Sequence, residues 1–452
     1  PKNTWMSDKP ERDRDFDGYL TRLAKRAIAV HVKSIGTISD DGGRAEFIPY
    51  EKIFRKLTEV GFNGLVSIET HNFDRSISNA EACRRVLEVV NRAWPAAAAG
   101  AQQESCSVSA ATVVRSYAAD PVRFGVVGLG MGHNRAGEMM KTPGIRLVQL
   151  CDRQEERCRR SSEAYHVPAT RDFAEMLANP EVEAVMVMNE TGRHGELALQ
   201  ALEAGKHVLL TKPMEMRLEQ CDRMIALARE RKLLLGLDHC RRLRPSVQSL
   251  KAAQEAGFFG RPLSVSVTLK VNRTMEYFRE NGGWRGTRAL DGGVLSNQTI
   301  HHLDEVLYVF GMPEAVRCDT WTQTHEIEME DLGLAVWRYP DGMIVNICAT
   351  TSYPQPSWYY QMELHGTEGA YIHREGGPAG APVTLYFRDG AWSETAPFPR
   401  ECPWLNSMDG FASALRCGTA QLTTPEEGRN AVRIIQAMYE SARGKEGAWV
   451  RL

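Results

Sequence analysis

The sequence of 452 residues contains no uninterrupted apolar run of about 18 residues, the length that a membrane-spanning helix requires. It also lacks an excess of charge of either sign. Its formal net charge is −2, so a surface that attracts nucleic acid or anionic lipid is not expected. The ten cysteines form no CxxC pair, which argues against a zinc site and a disulfide framework. We therefore expect a cytoplasmic protein that binds small molecules, with no membrane and no nucleic acid among its partners.

A change in composition at residues 95–121 divides the chain. This stretch is rich in small and polar residues and interrupts the periodic apolar pattern, which is typical of a linker. Before it, apolar runs at 27–32 and 64–69 alternate with amphipathic segments at 50–62 and 79–93, an order typical of a parallel sheet or a (β/α) barrel. The predicted organisation is a fragment at 1–95, a linker at 96–120, and domains at 121–240 and 241–452.

Five apolar runs separated by helical spacers follow the linker. They occupy residues 122–128, 145–152, 184–189, 207–212 and 233–238. This alternation predicts an α/β domain with a doubly wound parallel sheet, which binds ligands at the carboxyl ends of its strands. From about residue 262 the strands alternate polar and apolar residues, and one long helix is predicted near 297–310. We expect a separate α+β domain whose open sheet is largely antiparallel.

A glycine-rich turn joins the first of these strands to its helix. The sequence VVGLGMGHNRA places Gly128 and Gly130 where a tight turn lets the backbone approach a pyrophosphate at the helix N-terminus. Gly132 comes one position early, so His133 stands at the third glycine position of the motif. Asp152 ends the second strand, where a carboxylate accepts hydrogen bonds from an adenosine ribose. The pattern favours a nicotinamide dinucleotide over a purely structural turn.

The fourth strand ends in VLLTKPM (208–214), with a lysine directly before a proline. Lys212 lies at the same sheet edge as the glycine-rich turn, so its ammonium group would face the reacting part of a bound cofactor. Pro213 fixes φ and lacks an N–H, so it ends the strand, and a cis Lys212–Pro213 bond is compatible with the sequence. The alternative is a solvated lysine at a strand end.

A polar stripe marks the segment DGGVLSNQTIHHLDEVLYVFG (291–311). On a continuous helix Asn297, His301 and Asp304 share one face, and His302 points about 100° away. An amide, an imidazole and a carboxylate on an otherwise apolar helix need partners, so they are either satisfied structurally or used in chemistry. Taken alone, a histidine such as His301 is more often a hydrogen-bonded residue of the core than a catalyst.

Together these segments resemble the glucose–fructose oxidoreductase/inositol dehydrogenase (Gfo/Idh/MocA) family of sugar and cyclitol dehydrogenases. The resemblance covers about residues 120–450. It rests on GLGMG (128–132), CDR (151–153), ETGRHGELALQALEAGKHVLLTKPM (190–214), WRG (284–286), the segment 291–304, HGTEGAY (365–371) and the helix at 425–444. It implies hydride transfer between a nicotinamide cofactor and a secondary hydroxyl of a sugar, glycoside or cyclitol.

The resemblance carries the catalytic roles to Lys212, Asn297 and His301. The family's EKP motif appears here as TKP, so Thr211 replaces its glutamate, and the family's Asp and His, four positions apart, correspond to Asn297 and His301. Asn297 cannot accept a proton, but the Asn-Gln pair resembles a variant of the family associated with sugar oxidation. His301, with an unperturbed pKa of about 6.5, is expected to be the base, and Lys212 to polarise the hydroxyl or relay its proton.

The resemblance and the motifs together give two sets of binding residues. The candidate cofactor-binding residues are Gly128, Gly130, Met131, Gly132, Asp152, Arg153, Asn189, His194 and Lys212. Asp152 favours NAD, whereas the charge of Arg153 is able to pair with a 2′-phosphate, so NADP stays open. The candidate substrate-binding residues are Trp284, Arg285, Asn297 and His301. Trp284 and Arg285 offer an aromatic face and N–H donors suited to a polyol, or else pack as an ordinary loop cluster.

The first ninety residues resemble the last two β/α units of xylose-isomerase-like sugar epimerase barrels. HVKSIG (31–36) and GFNGLVSIETH (61–71) carry this resemblance, which matches His31 and Glu69 to two of that family's divalent-metal ligands. The strands for the remaining ligands are not in the sequence, so no metal site is expected. The fragment either continues a barrel encoded upstream or packs as a remnant on the dehydrogenase or on another copy of the chain.

The function implied by the larger resemblance is an NAD(P)-dependent dehydrogenase, expected as a homo-oligomer (dimer or tetramer) built through the open sheet. A second enzyme class stays open, in which a tightly bound NAD oxidises the substrate transiently during epimerisation or elimination. A third is a non-enzymatic sensor of a dinucleotide or sugar. The presence of Lys212 with His301 argues against a sensor, because a sensor has no need of a proton relay.

Overall fold

The structure, a computed structural model, describes six stretches of the chain. They are residues 29–33, 65–69, 116–354, 358–377, 381–444 and 448–452. The chain divides into two units, residues 1–107 and 108–452. In the first unit, β1 (Ala29–Lys33) and β2 (Leu65–Glu69) pair in parallel, with Ala29 opposite Leu65. These two strands and their direction agree with the sequence pattern.

Other predictions for the N-terminal part fall outside the described residues. They concern the helices around β1 and β2 and the side chains of His31 and Glu69, so the resemblance to a xylose-isomerase-like barrel stays a prediction. Of the predicted linker at 96–120, only the end is described, and Ser116–Ala119 forms a short 3-10 helix there.

The second unit begins with a parallel sheet of six strands. In spatial order they are β5 (Ala169–Thr170), β4 (Ile145–Cys151), β3 (Val122–Val127), β6 (Ala184–Val187), β7 (His207–Thr211) and β8 (Leu235–Asp238). Every neighbouring pair is parallel, which confirms the doubly wound sheet. All residues of β6 and β8 are buried, as expected for strands in such a sheet. The sequence pattern predicted five strands and missed β5, because two residues at a sheet edge leave no apolar run.

Helices alternate with these strands. They are α1 (Gly132–Met139), α2 (Glu155–Tyr165), α3 (Phe173–Ala178), α4 (His194–Glu203) and α5 (Leu218–Arg231). The start of α3 shows how the sequence sets a boundary, because the Asp172 carboxylate accepts a hydrogen bond of 2.8 Å from the N–H of Ala174. Helix α1 starts directly after the glycine-rich turn, so its free N–H groups lie at the carboxyl edge of the sheet.

The rest of the second unit contains a mixed sheet of nine strands in the part that the structure describes. In spatial order they are β16 (Ala391–Ser393), β15 (Val383–Arg388), β14 (Gly369–Gly376), β13 (Tyr359–Gly366), β9 (Pro262–Lys270), β12 (Ile344–Thr350), β11 (Leu332–Arg338), β10 (Ala315–Trp321) and β17 (Val450–Arg451). Only β9 and β12 pair in parallel among these strands. The prediction of a largely antiparallel sheet is confirmed.

Six further helices lie among the described residues of this region. They are α6 (Pro245–Glu255), α7 (Met275–Gly283), α8 (Val294–Asn297), α9 (Ile300–Phe310), α10 (Ser407–Cys417) and α11 (Pro425–Arg443). The long helix predicted near 297–310 is present as α9, but Asn297 does not belong to it, because α8 ends at Asn297 and α9 begins at Ile300. The hydroxyl of Thr299 donates a hydrogen bond of 2.8 Å to the carbonyl oxygen of Val294. This side-chain bond competes with the helical ladder and closes α8.

The core of this region lies between the nine-stranded sheet and helices α9 and α11. Trp337 of β11 is fully buried there and belongs to one cluster with Leu303 of α9 and Ile434 of α11. The alternation along β12 fits this arrangement, since Val345 and Ile347 are buried while Asn346 between them is exposed. None of the helices that the structure describes is long and apolar enough to cross a membrane.

Candidate active site

The glycine-rich turn has the backbone geometry that close approach requires. Gly128 has φ of +92°, and a Cβ at this position would lie 2.7 Å from the carbonyl carbon of Met188. Gly132 sits where helix α1 meets the sheet, since a Cβ there would lie 3.1 Å from Cγ1 of Val126. Gly132 therefore allows the close helix–strand packing expected of the third glycine in this motif, although it comes one position early.

His133, at the strict third position, faces away from the turn. Its Nδ1 lies 2.9 Å from the hydroxyl of Ser161 in helix α2, and its ring lies against Tyr165. Burial lowers the pKa of His133, so the side chain is a neutral contact between α1 and α2. Its replacement of glycine leaves the turn itself open.

Asp152 stands beside the turn and is buried. One carboxylate oxygen accepts a hydrogen bond of 2.7 Å from the N–H of Leu129, and the other accepts one of 2.8 Å from the N–H of Gln154. Arg157 also lies 3.4 Å from this carboxylate. Arg153 is exposed and pairs instead with Glu190 at 2.6 Å. The carboxylate is therefore fixed next to the turn, and the Arg153 side chain lies on the rim.

A cavity of about 510 Å³ opens in front of the turn and the Asp152 carboxylate. It is lined by eight of the residues named from the sequence, which are Gly128, Gly130, Met131, Asp152, Arg153, Asn189, Trp284 and Arg285. Both polar atoms of the Asn189 side chain are buried there and have no hydrogen-bond partner among the described residues. An unsatisfied amide costs free energy unless a ligand pairs with it. The open turn, the fixed carboxylate and the free amide together fit a dinucleotide.

His194 lies outside this cavity. The side chain is fully buried, with Nδ1 2.8 Å from the carbonyl oxygen of Pro213 and Nε2 3.1 Å from that of Asn189. Burial lowers its pKa. His194 thus ties the segment after β6 to the segment after β7, and it does not line the cavity although it is one of the candidate cofactor-binding residues.

Lys212 follows β7 and reaches the other domain. Its Nζ donates a hydrogen bond of 2.7 Å to the main-chain carbonyl oxygen of Asn297, and the Lys212–Pro213 bond is cis. Burial lowers the pKa of Lys212 to about 8, with the negative charge of Asp291 acting in the opposite direction. Lys212 is therefore not the solvated strand-end lysine that the sequence left open.

Asn297 is held by a carboxylate that the sequence analysis did not single out. Its amide group donates a hydrogen bond to Asp291, which also accepts one of 2.8 Å from the N–H of Gly286. Asp291 is buried, and this burial raises its pKa to about 6. The signal was present as the acidic first residue of the segment 291–311. It lies before the helix, so the helical spacing of the polar stripe did not include it.

His301 has an unsatisfied ring nitrogen. Its Nδ1 is buried and has no hydrogen-bond partner among the residues described. Burial, and secondarily the positive charge of Lys212, holds the pKa of His301 well below its usual value. The imidazole is therefore neutral and retains a nitrogen lone pair at physiological pH.

Asp304 and His302 belong to the interior instead of the site. Of the two alternatives left open for the polar stripe, Asp304 is satisfied structurally, because its carboxylate receives two hydrogen bonds of 2.7 and 2.8 Å from the buried guanidinium of Arg242. The ring of His302 stacks on Tyr360 with centroids 3.7 Å apart. The structure thus brings Asn297 and His301 to Lys212 and leaves these two neighbours in the core.

Trp284 and Arg285 lie at the cavity wall with an aromatic partner. The guanidinium of Arg285 lies 4.2 Å from the ring centroid of Tyr277 and 5.4 Å from that of Trp284. The Tyr277 hydroxyl accepts a hydrogen bond of 3.1 Å from Gln298 and lies 3.4 Å from the side-chain oxygen of Asn297. Tyr277 was missed because it lies in a short helix without a strong apolar period. Trp284 and Arg285 are thus connected to Asn297 through Tyr277.

Family models match both domains of the second unit. One, described as an oxidoreductase family with an NAD-binding Rossmann fold, matches residues 122–239, and the other, the GFO/IDH/MocA C-terminal domain, matches residues 247–372. The two matches belong to the same family and together span more than half of the chain.

The chain belongs to the Gfo/Idh/MocA family. Among curated relatives, it is 29% identical over 259 residues to the 1,5-anhydro-D-fructose reductase of Ensifer adhaerens, covering 56% of this chain and 75% of the relative. It is 24% identical over 354 residues to the scyllo-inositol 2-dehydrogenase (NADP(+)) IolW of Bacillus subtilis (strain 168), covering 72% and 95%.

A solved structure is also similar to this chain. It is the WlbA dehydrogenase from Bordetella pertussis in complex with NADH and UDP-GlcNAcA. The identity is 29%, the TM-score is 0.65, and the match covers 74% of this chain and 99% of that one. The fold of the second unit is thus that of the Gfo/Idh/MocA family over nearly the full length of a solved relative.

The position before Lys212 departs from the Gfo/Idh/MocA motif, with Thr211 in place of glutamate. Thr211 lies opposite Asp238 in the register of β7 and β8. Asp238 pairs with Arg135 at 2.8 Å. Its negative charge partly opposes the lowering of the Lys212 pKa by burial. A buried carboxylate is therefore supplied near Lys212 from the neighbouring strand, a residue that the sequence analysis did not identify.

Proposed function

We propose that this protein is an NAD(P)-dependent dehydrogenase that acts on a secondary hydroxyl of a sugar, glycoside or cyclitol. The observation that carries the proposal is the hydrogen bond between Lys212 Nζ and the Asn297 carbonyl oxygen. It joins the edge of the parallel sheet, where the dinucleotide cavity lies, to the segment that carries Asn297 and His301. An amine, an amide and a neutral imidazole are thereby next to one another, which is the set of groups that a proton-coupled hydride transfer needs.

The cofactor would be held by residues of the cavity. The turn at Gly128 and Gly130 would bind the pyrophosphate, and Asp152 would bind the adenosine ribose. The unpaired amide of Asn189 would form hydrogen bonds with the bound dinucleotide. A bound nicotinamide would exchange a hydride with the carbon that carries the reacting hydroxyl. Asp152 favours NAD in this arrangement. The exposed charge of Arg153 is able to pair with the 2′-phosphate of NADP, so NADP stays open as the cofactor.

The proton of the hydroxyl would move through His301 and Lys212. The neutral His301 would accept the hydroxyl proton, but its lowered pKa prevents it from keeping that proton at neutral pH. Lys212, with a pKa of about 8, would provide the next acceptor when deprotonated and would polarise the hydroxyl when protonated. This order of pKa values gives the proton a direction away from the substrate.

Asn297 would hold this arrangement in place through both its main chain and its side chain. Its carbonyl oxygen accepts the Lys212 hydrogen bond, and its amide group bonds to Asp291. Asn297 itself cannot take a proton, so the carboxylate that influences Lys212 would be Asp291 instead of the aspartate that the family motif places at 297.

The experiment is a turnover screen of sugars, glycosides and inositols with NAD and with NADP, followed at 340 nm. Reduced cofactor should accumulate with at least one neutral or acidic polyol in the panel. Conversion of a substrate without accumulation would instead identify the enzyme class that retains its cofactor. Binding of a dinucleotide with no conversion of any compound, measured by product analysis, would refute a dehydrogenase and favour a sensor.

A further inference from the structure

Arg273 lies at the edge of the proposed substrate site. The N–H and the carbonyl oxygen of its main chain are both held by hydrogen bonds. Its N–H donates a hydrogen bond of 2.9 Å to the carbonyl oxygen of Thr351. Its own carbonyl oxygen lies 2.6 Å from Nε2 of His325, whose other nitrogen lies 3.0 Å from Asp331. The side chain is therefore presented from a rigid backbone, directly after strand β9.

The guanidinium of Arg273 is connected to the proposed catalytic groups. One of its terminal nitrogens donates a hydrogen bond of 2.9 Å to the side-chain oxygen of Gln298. Gln298 in turn donates one of 2.5 Å to the side chain of Asn297. The charge of Arg273 also lowers the pKa of Lys212. Arg273 thus stands beside the place where the reacting hydroxyl would lie.

Among the described residues this guanidinium donates to two neutral acceptors, the side chain of Gln298 and, at 3.1 Å, the carbonyl oxygen of Asn272, and to no carboxylate. Its Nε–H is buried and has no acceptor there. Other buried arginines of the chain are neutralised, for example Arg242 by Asp304 at 2.7 Å and Arg241 by Glu305. A half-buried guanidinium with only neutral acceptors is costly because it loses hydration without gaining a counter-charge.

Two arginines also share one aromatic ring. The guanidinium carbon of Arg273 lies 5.0 Å from the ring centroid of Tyr277, and that of Arg285 lies 4.2 Å from the same centroid. With Lys212 the site holds three cationic side chains, against the buried Asp291 and the more exposed Glu280 on Arg285. Asp238, the other carboxylate near Lys212, is already paired with Arg135. Like charges repel at such separations, so this arrangement of side chains favours an anion.

We propose that the substrate carries a carboxylate, as in a uronic acid or its glycoside, and that Arg273 binds this group. The planar fork formed by Nε–H and a terminal N–H matches the two oxygens of a carboxylate. The hydrogen bond from Arg273 to Gln298 would then set the distance between the carboxylate and the reacting hydroxyl. This inference rests on the proposed dehydrogenase function and narrows its substrate class.

The test compares pairs of compounds that differ only in this group. They are D-glucuronate with D-glucose, D-galacturonate with D-galactose, and the methyl glycosides of each. For the preferred pair, the acid should exceed the neutral sugar in kcat/KM by about 100-fold, the range of a charge-assisted hydrogen-bonded pair. The NAD-loaded protein should also gain thermal stability with the acid and not with the neutral sugar, which gives a readout that does not need turnover.

Variants locate the recognition in Arg273. Arg273→Gln should remove most of the preference for the acid, mainly through KM, and Arg273→Lys should restore part of it because the charge returns without the fork. Arg279→Gln is the matched control, since Arg279 is exposed and pairs with Glu326 at 3.1 Å away from this site. It should leave the preference unchanged.

The outcomes separate the two proposals. Equal kcat/KM and equal stabilisation within every pair, or a preference that survives Arg273→Gln, would overturn the carboxylate proposal and leave the dehydrogenase standing. Loss of turnover of acid and neutral sugar in equal proportion in Arg273→Gln would show that Arg273 only supports Gln298. Failure of every compound, acidic or neutral, to bind or react would overturn both proposals.

Discussion

The ammonium group of Lys212 donates a hydrogen bond of 2.7 Å to the main-chain oxygen of Asn297, 85 residues further along the chain. The bond links the edge of the parallel sheet to the end of helix α8. Because the acceptor is a main-chain oxygen, no side chain at position 297 is needed to make it. The side chain of Asn297 is therefore free to bond with Asp291 and Tyr277, which places an acid and an aromatic residue next to the same amine.

Removal of the Lys212 amine should separate catalysis from cofactor binding. Lys212→Ala is expected to lower kcat by about 100- to 10,000-fold, the usual loss when a general acid–base group is deleted. Binding of NADH, followed by its fluorescence, should change little, because Lys212 does not line the cavity of the glycine-rich turn. Lys141→Ala, at an exposed position, is the control for a lysine deletion as such. Unchanged turnover in Lys212→Ala would exclude the proposed proton path.

Much of the domain with the six-stranded parallel sheet could be predicted from the sequence, because its strands are buried and therefore appear in the sequence as apolar runs. The placement of Lys212 followed from the same pattern, since the carboxyl ends of parallel strands meet at one edge. Asp291, Tyr277 and Arg273 could not be found in this way. Each lies outside the regular part of a strand or long helix, so no periodicity marks it and only the folded chain brings it to the site.

The segment between residues 294 and 310 shows a second limit of sequence patterns. Helical spacing assigned Asn297, His301 and Asp304 to one face, yet the Thr299 hydroxyl closes the first helix and Arg242 captures Asp304. Hydrophobic periodicity reports neither this hydrogen bond nor this ion pair. Asn297 and His301 nevertheless both lie close to Lys212, although the two residues do not belong to one continuous helix.

The pH dependence of turnover should contain a contribution from Asp291. Burial raises the pKa of Asp291 to about 6, and its negative charge in turn raises that of Lys212, which lies at about 8. If protonated Lys212 polarises the hydroxyl, kcat/KM should fall as the pH rises through about 8. Asp291→Asn removes the charge that favours the ammonium form, so the alkaline limb should move to lower pH.

The control for this shift is a conservative change at a distant acid. Glu156→Gln alters an exposed carboxylate that pairs with Arg159 on helix α2 and should leave the alkaline limb in place. A pH profile of Asp291→Asn that superimposes on the parent, or an alkaline limb displaced to higher pH, would contradict the coupling between Asp291 and Lys212.

Substitution in the glycine-rich turn should weaken the dinucleotide and spare the fold. In Gly128→Ala the new methyl group would lie 2.7 Å from the carbonyl carbon of Met188, and φ of +92° is strained for alanine. A strain of about 2 kcal/mol or more, relieved by shifting the turn, corresponds to at least a roughly 30-fold weaker Kd for NADH. Gly205→Ala is the matched control, because φ is +75° there but nothing lies within 4 Å. Equal Kd values for the two variants would rule out this role of Gly128.

Glu330 should make the stability of the protein depend on pH in a direction opposite to that of a paired carboxylate. One of its oxygens accepts hydrogen bonds of 2.9 Å from the N–H of Leu295 and 3.0 Å from the hydroxyl of Tyr439. The other is buried with no partner among the described residues. Burial raises the pKa of Glu330 to about 7. In the unfolded chain the same group titrates at about 4.5, so the unfolded state loses its proton first.

The sign of the effect follows from this order. Below pH 4.5 Glu330 is neutral in both states, and between about 4.5 and 7 only the unfolded state gains from ionisation, so the free energy of unfolding falls as the pH rises. Glu330→Gln keeps the shape and cannot ionise, so it should be more stable than the parent at pH 8, by roughly 3 kcal/mol at most. Urea unfolding at pH 4 and pH 8 measures the difference, which should shrink at the lower pH. A variant that is less stable than the parent by the same amount at both values would show that the carboxyl serves only as a hydrogen-bond acceptor.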